Sequence, residues 1–286
     1  MDFELNRLRD YSSLFSRGEV LSWFKGDFSS INFKIKRYDA NWLIDDGSTY
    51  LQYLKYIYKV LTQNYRNEYI FKNEFLNEYI LQELGTLNSK VFSEFKIGNS
   101  VADLALFNGV SKIFEIKTEL DSPNRLKSQL SDYRTAFNCL YLIVPVSKLK
   151  LYENQDITTG LILYDHQAKH GKFELYRNPQ KNEEIDPNSI MSILHTNEYR
   201  SIVKDYFGEL PEMTSFTQYK ICKELILEIP IDRLNQIFIS TMKQRGSKEA
   251  ILTQNHAEFN QISLALKFNK KKKDDFLELL ETKISP

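Results

Sequence analysis

The chain has 286 residues, 38 basic and 38 acidic side chains and a formal net charge of zero, with 42% hydrophobic and 27% charged residues. This globular composition excludes disorder, collagen-like repeats and a strongly basic nucleic-acid condenser, so any grip on nucleic acid has to come from a local patch. Cys139 and Cys222 are too few for a disulfide framework or a thiolate zinc site; they fit a reducing cytosol, and a cytoplasmic location without membrane contact is expected.

In chain order, the first sixteen residues mix apolar and charged side chains, unlike a signal peptide. Lys34, Lys36 and Arg37 interleave with Phe33, Tyr38 and Trp42, which reads as an amphipathic strand. Residues 48–84 carry helical spacing through Leu51, Leu54, Ile57 and Leu61, then Ile70, Phe71, Phe75 and Tyr79, with an interruption at 64–67 and a stop at Gly85 and Asn88. Strands follow at 91–96, 100–107 and 111–118, separated by the turn pairs Gly98-Asn99 and Asn108-Gly109, which predicts an antiparallel meander. Ser122-Pro123 opens a helix, with the hydroxyl as cap, and Leu126, Leu130, Tyr133 and Phe137 keep its spacing.

Residues 140–146 form a buried strand, and 160–165 with 172–176 a further hairpin. The segment 178–188, with two prolines, reads as a linker. Helices are predicted at 215–228, 232–244, 258–268 and 274–283, the last preceded by a solvated loop of four lysines, 270–273. The expected organisation is an α/β protein: a partly helical N-terminal extension (1–66), a central core (67–178) and a C-terminal helical domain (189–286).

The chemistry concentrates in residues 100–117. Glu115 and Lys117 lie inside one apolar strand and share one face by the two-residue period, while Asp103 lies inside the strand before it. Two carboxylates beside an ammonium suit Mg2+ or Mn2+ and a phosphodiester. Register tests the grouping. A strict two-residue Asn108-Gly109 loop would pair Asp103 with Phe114 and turn it away from Glu115, so the site requires a three-residue loop or a bulge.

Asp103 followed across a hairpin by Glu115-Ile116-Lys117 resembles the D and (D/E)XK elements of the PD-(D/E)XK nuclease superfamily, whose core is a restriction-endonuclease-like αβββαβ fold. The stretches 93–103 and 114–122 are similar to uncharacterised bacterial and phage proteins of that superfamily, and the likeness covers residues 68–146. It implies a metal shell of Asp103, Glu115, Glu74 and Ile116. Glu74 in Lys72-Asn73-Glu74 matches the first-helix carboxylate, with Glu78 as the alternative. Gln129 matches the accessory glutamine, and Arg125 and Tyr133 lie on its face one turn to either side. Ala102 stands where the family has its proline.

The resemblance implies metal-dependent hydrolysis of DNA, with a role in defence or phage conflict. Cleavage of RNA is one alternative. Another is a nuclease fold kept as a non-catalytic module that binds nucleic acid or a protein partner, with the C-terminal helices as the docking or homodimer surface. Glu94, on the first strand, either touches the metal or protects an edge. His166 and His170 read as a solvated turn rather than a zinc site. No Walker loop, dinucleotide fingerprint or serine elbow occurs.

Overall fold

The computed structural model describes residues 4–44, 47–65, 67–83, 89–119, 121–168, 171–246 and 252–284, and the chain divides into two compact units. The first unit takes Met1–Glu83 together with Ser247–Pro286, and the second takes Leu84–Gly246. This division cuts across the three-part organisation expected from sequence. The C-terminal helices form no separate domain: residues 187–246 belong with the sheet, and the last helices belong with the N-terminal segment. The predicted helix stop at Gly85 and Asn88, and His170, lie outside the described residues.

The first unit is helical, with α1 (Leu5–Ser13), α2 (Arg17–Trp23), α3 (Ser29–Tyr38), α4 (Tyr50–Asn64), α5 (Glu68–Phe75) and α6 (Leu81–Glu83); a π-helical turn, Leu76–Ile80, joins the last two. The expected amphipathic strand at 33–42 is instead α3 and a short 3-10 turn. Ile31, Lys34 and Ile35 fall on one helical face and are buried, a 3.6-residue period that the alternation of aromatic and basic residues had masked. The interruption at 64–67 is present. Tyr65 leaves the helical conformation, and Asn67 restarts it by accepting from the Ile70 amide at 2.9 Å.

In the second unit six strands lie in sequence order: β1 (Lys90–Ile97), β2 (Ser100–Phe107), β3 (Ser111–Ile116), β4 (Cys139–Pro145), β5 (Gly160–Tyr164) and β6 (Phe173–Arg177). The first three form the predicted antiparallel meander, β3–β4 and β4–β5 are parallel, and β5–β6 is an antiparallel hairpin. The crossover between β3 and β4 carries α7 (Leu126–Arg134). Its opening differs from expectation: the Ser122 hydroxyl makes no cap, and a 3-10 turn at Pro123–Arg125 leads into the helix instead. After the crossover comes α8 (Leu149–Tyr152), and after the sheet α9 (Pro187–Ile193), α10 (Thr196–Phe207), α11 (Gln218–Leu227) and α12 (Ile231–Gln244).

One core joins the sheet to these helices. Phe95, Phe107, Phe137 and Phe238 meet edge to face or tilted at 5.5–6.3 Å, and Leu130 and Tyr133 of α7 are buried with them. The predicted linker 178–188 is tied down rather than loose: the Asn182 amide donates to the carbonyls of Arg134 and Phe137, and its backbone N–H donates to Asn138. His166 lies in an exposed turn after β5.

The first unit is completed by α13 (Asn260–Ala265) and α14 (Lys270–Leu280). Phe276 stacks on Trp23, and Phe259, Phe268 and Leu280 are buried in the same cluster. The four lysines expected in a loop form the first turn of α14, capped by Asn269, and Lys273 is buried. No helix among the described residues is long and apolar enough to cross a membrane.

Candidate active site at the β2–β3 hairpin

Three residues, Asn108 to Val110, connect β2 and β3, with Gly109 at a positive φ of 103° and the Asn108 amide closing onto the Val110 carbonyl. The ladder therefore runs from Phe107 opposite Ser111 to Leu104 opposite Phe114, one residue out of step with a two-residue turn. Asp103 and Glu115 are then next in line, close enough for the Asp103 charge to act on Glu115. There the ladder opens: the Asp103 carboxylate accepts from the Ile116 amide at 2.8 Å, where a backbone carbonyl would otherwise pair.

β1 contributes to this opening. Phe92 and Phe95 both turn toward the unit's core, as do Ala102 and Ala105 opposite them, although a strict two-residue period would separate each pair. The alternation inverts at Glu94 and Asp103, which lie between the pairs Ser93–Leu104 and Phe95–Ala102, and Glu94 takes up the inversion with a left-handed φ of 52°. A non-glycine residue in that region is strained, and such strain persists where surrounding structure over-determines it.

Glu115 (4% exposed) and Lys117 (7%) are buried polar groups on the strand side that faces α7. Lys117 Nζ donates to Glu115 Oε1 at 2.7 Å and to Gln129 Oε1 at 3.0 Å; Gln129 Nε2 donates to the same Glu115 oxygen at 2.7 Å. The Tyr133 hydroxyl donates to Glu115 Oε2 at 2.8 Å. The Lys117 backbone is fixed by its amide bond to the Ile143 carbonyl on β4. Burial raises the Glu115 pKa and the Asp103 charge raises it further, against the lowering effect of Lys117 and Tyr133. Burial and the same carboxylate also push the Tyr133 hydroxyl up, so it stays a donor.

The structure thus brings together Asp103, Glu115, Lys117 and Gln129, with Ile116 taking part through its backbone N–H. Glu74 does not share their unit. It is 5% exposed on α5, near Tyr58, and Glu78 follows it on the π-helical turn. Arg125 is exposed at the end of the 3-10 turn before α7. Sequence placed Tyr133 on the correct face and gave it no role; its spacing of four from Gln129 on one helix was the available signal. Nothing in the sequence marked the backbone of Glu94.

Among the described residues no cluster of three or more His, Cys, Asp or Glu is placed to hold a metal. Asp103 and Glu115 nonetheless make a two-carboxylate donor set, the number Mg2+ uses when water and phosphate oxygens complete its shell. Burial and, after it, the Asp103 charge raise the Glu115 carboxyl, and a divalent charge placed there would offset both.

A family model described as Bacteriophage P4 protein cII matches residues 62–278, about three-quarters of the chain. This protein belongs to the phage P4 cII family. The match spans the whole sheet unit and reaches into α14. No protein of curated function matches. Among solved structures, the SPO1766 protein of unknown function from Silicibacter pomeroyi is similar at 12% identity with a TM-score of 0.32, covering 50% of this chain and 93% of its own.

Proposed function

We propose that this member of the P4 cII family is a metal-dependent nuclease of the PD-(D/E)XK type that hydrolyses DNA. The observation that carries the reading is the closeness of the Asp103 and Glu115 carboxylates, with Lys117 Nζ held 2.7 Å from the Glu115 carboxylate. The order of elements supports it: a helix, the three-stranded meander, the α7 crossover and parallel β4 follow the αβββαβ order of the restriction-endonuclease-like core.

Asp103 and Glu115 would hold Mg2+ or Mn2+, which when bound supplies Lewis-acid charge for the phosphodiester. Lys117 Nζ is a hydrogen-bond donor of the site. Its position, shared between Glu115 and Gln129, lets it donate to an attacking water or to charge developing on the phosphate without giving up both protein partners. Gln129 bridges Lys117 and Glu115 and fixes their spacing. Tyr133 keeps one carboxylate oxygen of Glu115 hydrogen-bonded, and the Ile116 amide does the same for Asp103.

The test is incubation of the full chain with linear, supercoiled and single-stranded DNA, and with RNA, in Mg2+ or Mn2+. Wild type is expected to cut DNA, and Glu115→Gln and Lys117→Met to lose at least about a hundredfold in rate while keeping the wild-type circular dichroism spectrum. Equal products from all three proteins would remove the catalytic reading and leave the binding-module alternative, which the zero net charge favours.

A further inference from the structure

The first unit contains an open cavity of about 1020 Å3 that the nuclease reading does not use. Arg7, Tyr38, Asn41, Trp42, Gln52 and Tyr56 are among its lining residues. Asp39 also lines it; 4% exposed, it accepts from Arg7 at 2.6 Å, from the Tyr11 hydroxyl at 2.6 Å and from the Tyr53 hydroxyl at 2.9 Å. These bonds join α1, α3 and α4, so the wall is preorganised by charge-assisted hydrogen bonds.

An aromatic wall around a carboxylate ordinarily takes a cation. Here the protein's own guanidinium fills that place: Arg7 lies over the rings of Tyr11 and Tyr38, at 5.3 and 5.4 Å, and neutralises Asp39. The ion pair leaves no net charge to draw a second cation, and the carboxylate that would bind sugar hydroxyls is already engaged by Arg7, Tyr11 and Tyr53. A ligand therefore meets two half-buried rings, Trp42 and Tyr56, with centroids 5.6 Å apart and planes 40° apart, together with the neutral amides of Asn41 and Gln52. Gln52 is anchored through its oxygen, which accepts from the Thr49 amide at 3.0 Å.

We propose that this cavity binds a nucleobase, stacked on Trp42 and Tyr56 and met at its edge by the amides. A planar ring carrying both donors and acceptors fits this wall, and stacking on aromatic side chains is how unpaired bases are held without sequence preference. The inference rests on the proposed function only for the source of the base, an unpaired stretch of the substrate strand; the same chemistry in a free nucleotide is the other source.

The chain has two tryptophans, and Trp23 is fully buried, so Trp42 reports on the cavity. The full-length protein in EDTA, where metal-dependent cleavage is silent, is titrated with AMP, dAMP and fluorescein-labelled ten-residue oligo-dT and oligo-dA; tryptophan emission and anisotropy are read. Quenching is expected, with about a tenfold loss of affinity in Trp42→Ala, most of the affinity kept in Trp42→Phe, and a smaller loss in Asn41→Ala. Thermal melts of each variant separate loss of binding from loss of fold. Tighter binding of the oligonucleotides assigns the base to a strand, and equal or tighter binding of the mononucleotides assigns it to a free nucleotide. No quenching by any of them, or unchanged affinity in Trp42→Ala, overturns the proposal. A protein that binds in this way but cuts nothing keeps this inference and loses the nuclease reading; one that cuts without any Trp42 dependence does the reverse.

Discussion

At the scale of single residues, Glu115 explains most of the candidate site. A carboxylate on a buried strand is costly unless its oxygens are satisfied, and here Lys117, Gln129 and Tyr133 supply three donors. Tyr133→Phe is expected to cost about 1–3 kcal/mol in urea unfolding, because a buried carboxylate oxygen loses a donor. The same bond holds the Glu115 pKa down, so its loss should move the acid limb of the cleavage profile to higher pH. An unchanged acid limb would show that Tyr133 serves packing alone.

Elements set which of these residues can meet. The two-residue period of β2 and β3 was legible, but the grouping of Asp103 with Glu115 depended on a loop of three residues rather than two, and a one-residue slip would have separated them. At α14 the sequence misled, because a run of four lysines reads as solvent-exposed. The helix instead starts at Lys270, which turns Lys273 inward, where its ammonium donates to Asn260 at 2.9 Å and Thr253 at 3.1 Å. Burial pulls its pKa down from 10.5 to about 8. The folded state then binds fewer protons than the unfolded state between those values, so stability should rise as pH climbs from about 8 to 10.5. Lys273→Met should abolish that rise, which in wild type amounts to at most ~3 kcal/mol. Chemical denaturation at pH 7 and pH 11 measures it, and identical slopes for the two proteins would refute it.

For the whole molecule, the division into units is the main correction to a linear reading. The first unit closes only when the chain returns, since Phe259, Phe268, Phe276 and Leu280 complete a core begun by Trp23, Tyr53 and Leu54. The second unit is continuous from Leu84 to Gly246 and holds the sheet, α7 and its own aromatic core. A fragment of residues 84–246 is therefore expected to fold alone with a cooperative melt. A chain ending at residue 246 should keep that transition and lose the protease resistance of its first 83 residues. Differential calorimetry with limited trypsin digestion reads both, and loss of the sheet transition on truncation would contradict the division.

The sequence alone determined the meander, the α7 crossover, the buried strand after it and the shared face of Glu115 and Lys117. All of these follow from periods and turn residues that act over a few positions. The tertiary structure decided what depends on partners far along the chain: the loop register that lines up Asp103, the inversion at Glu94, the inward Lys273 and the return of the last helices to the first unit. Packing and hydrogen-bond satisfaction are settled between distant segments, and local pattern carries no record of them.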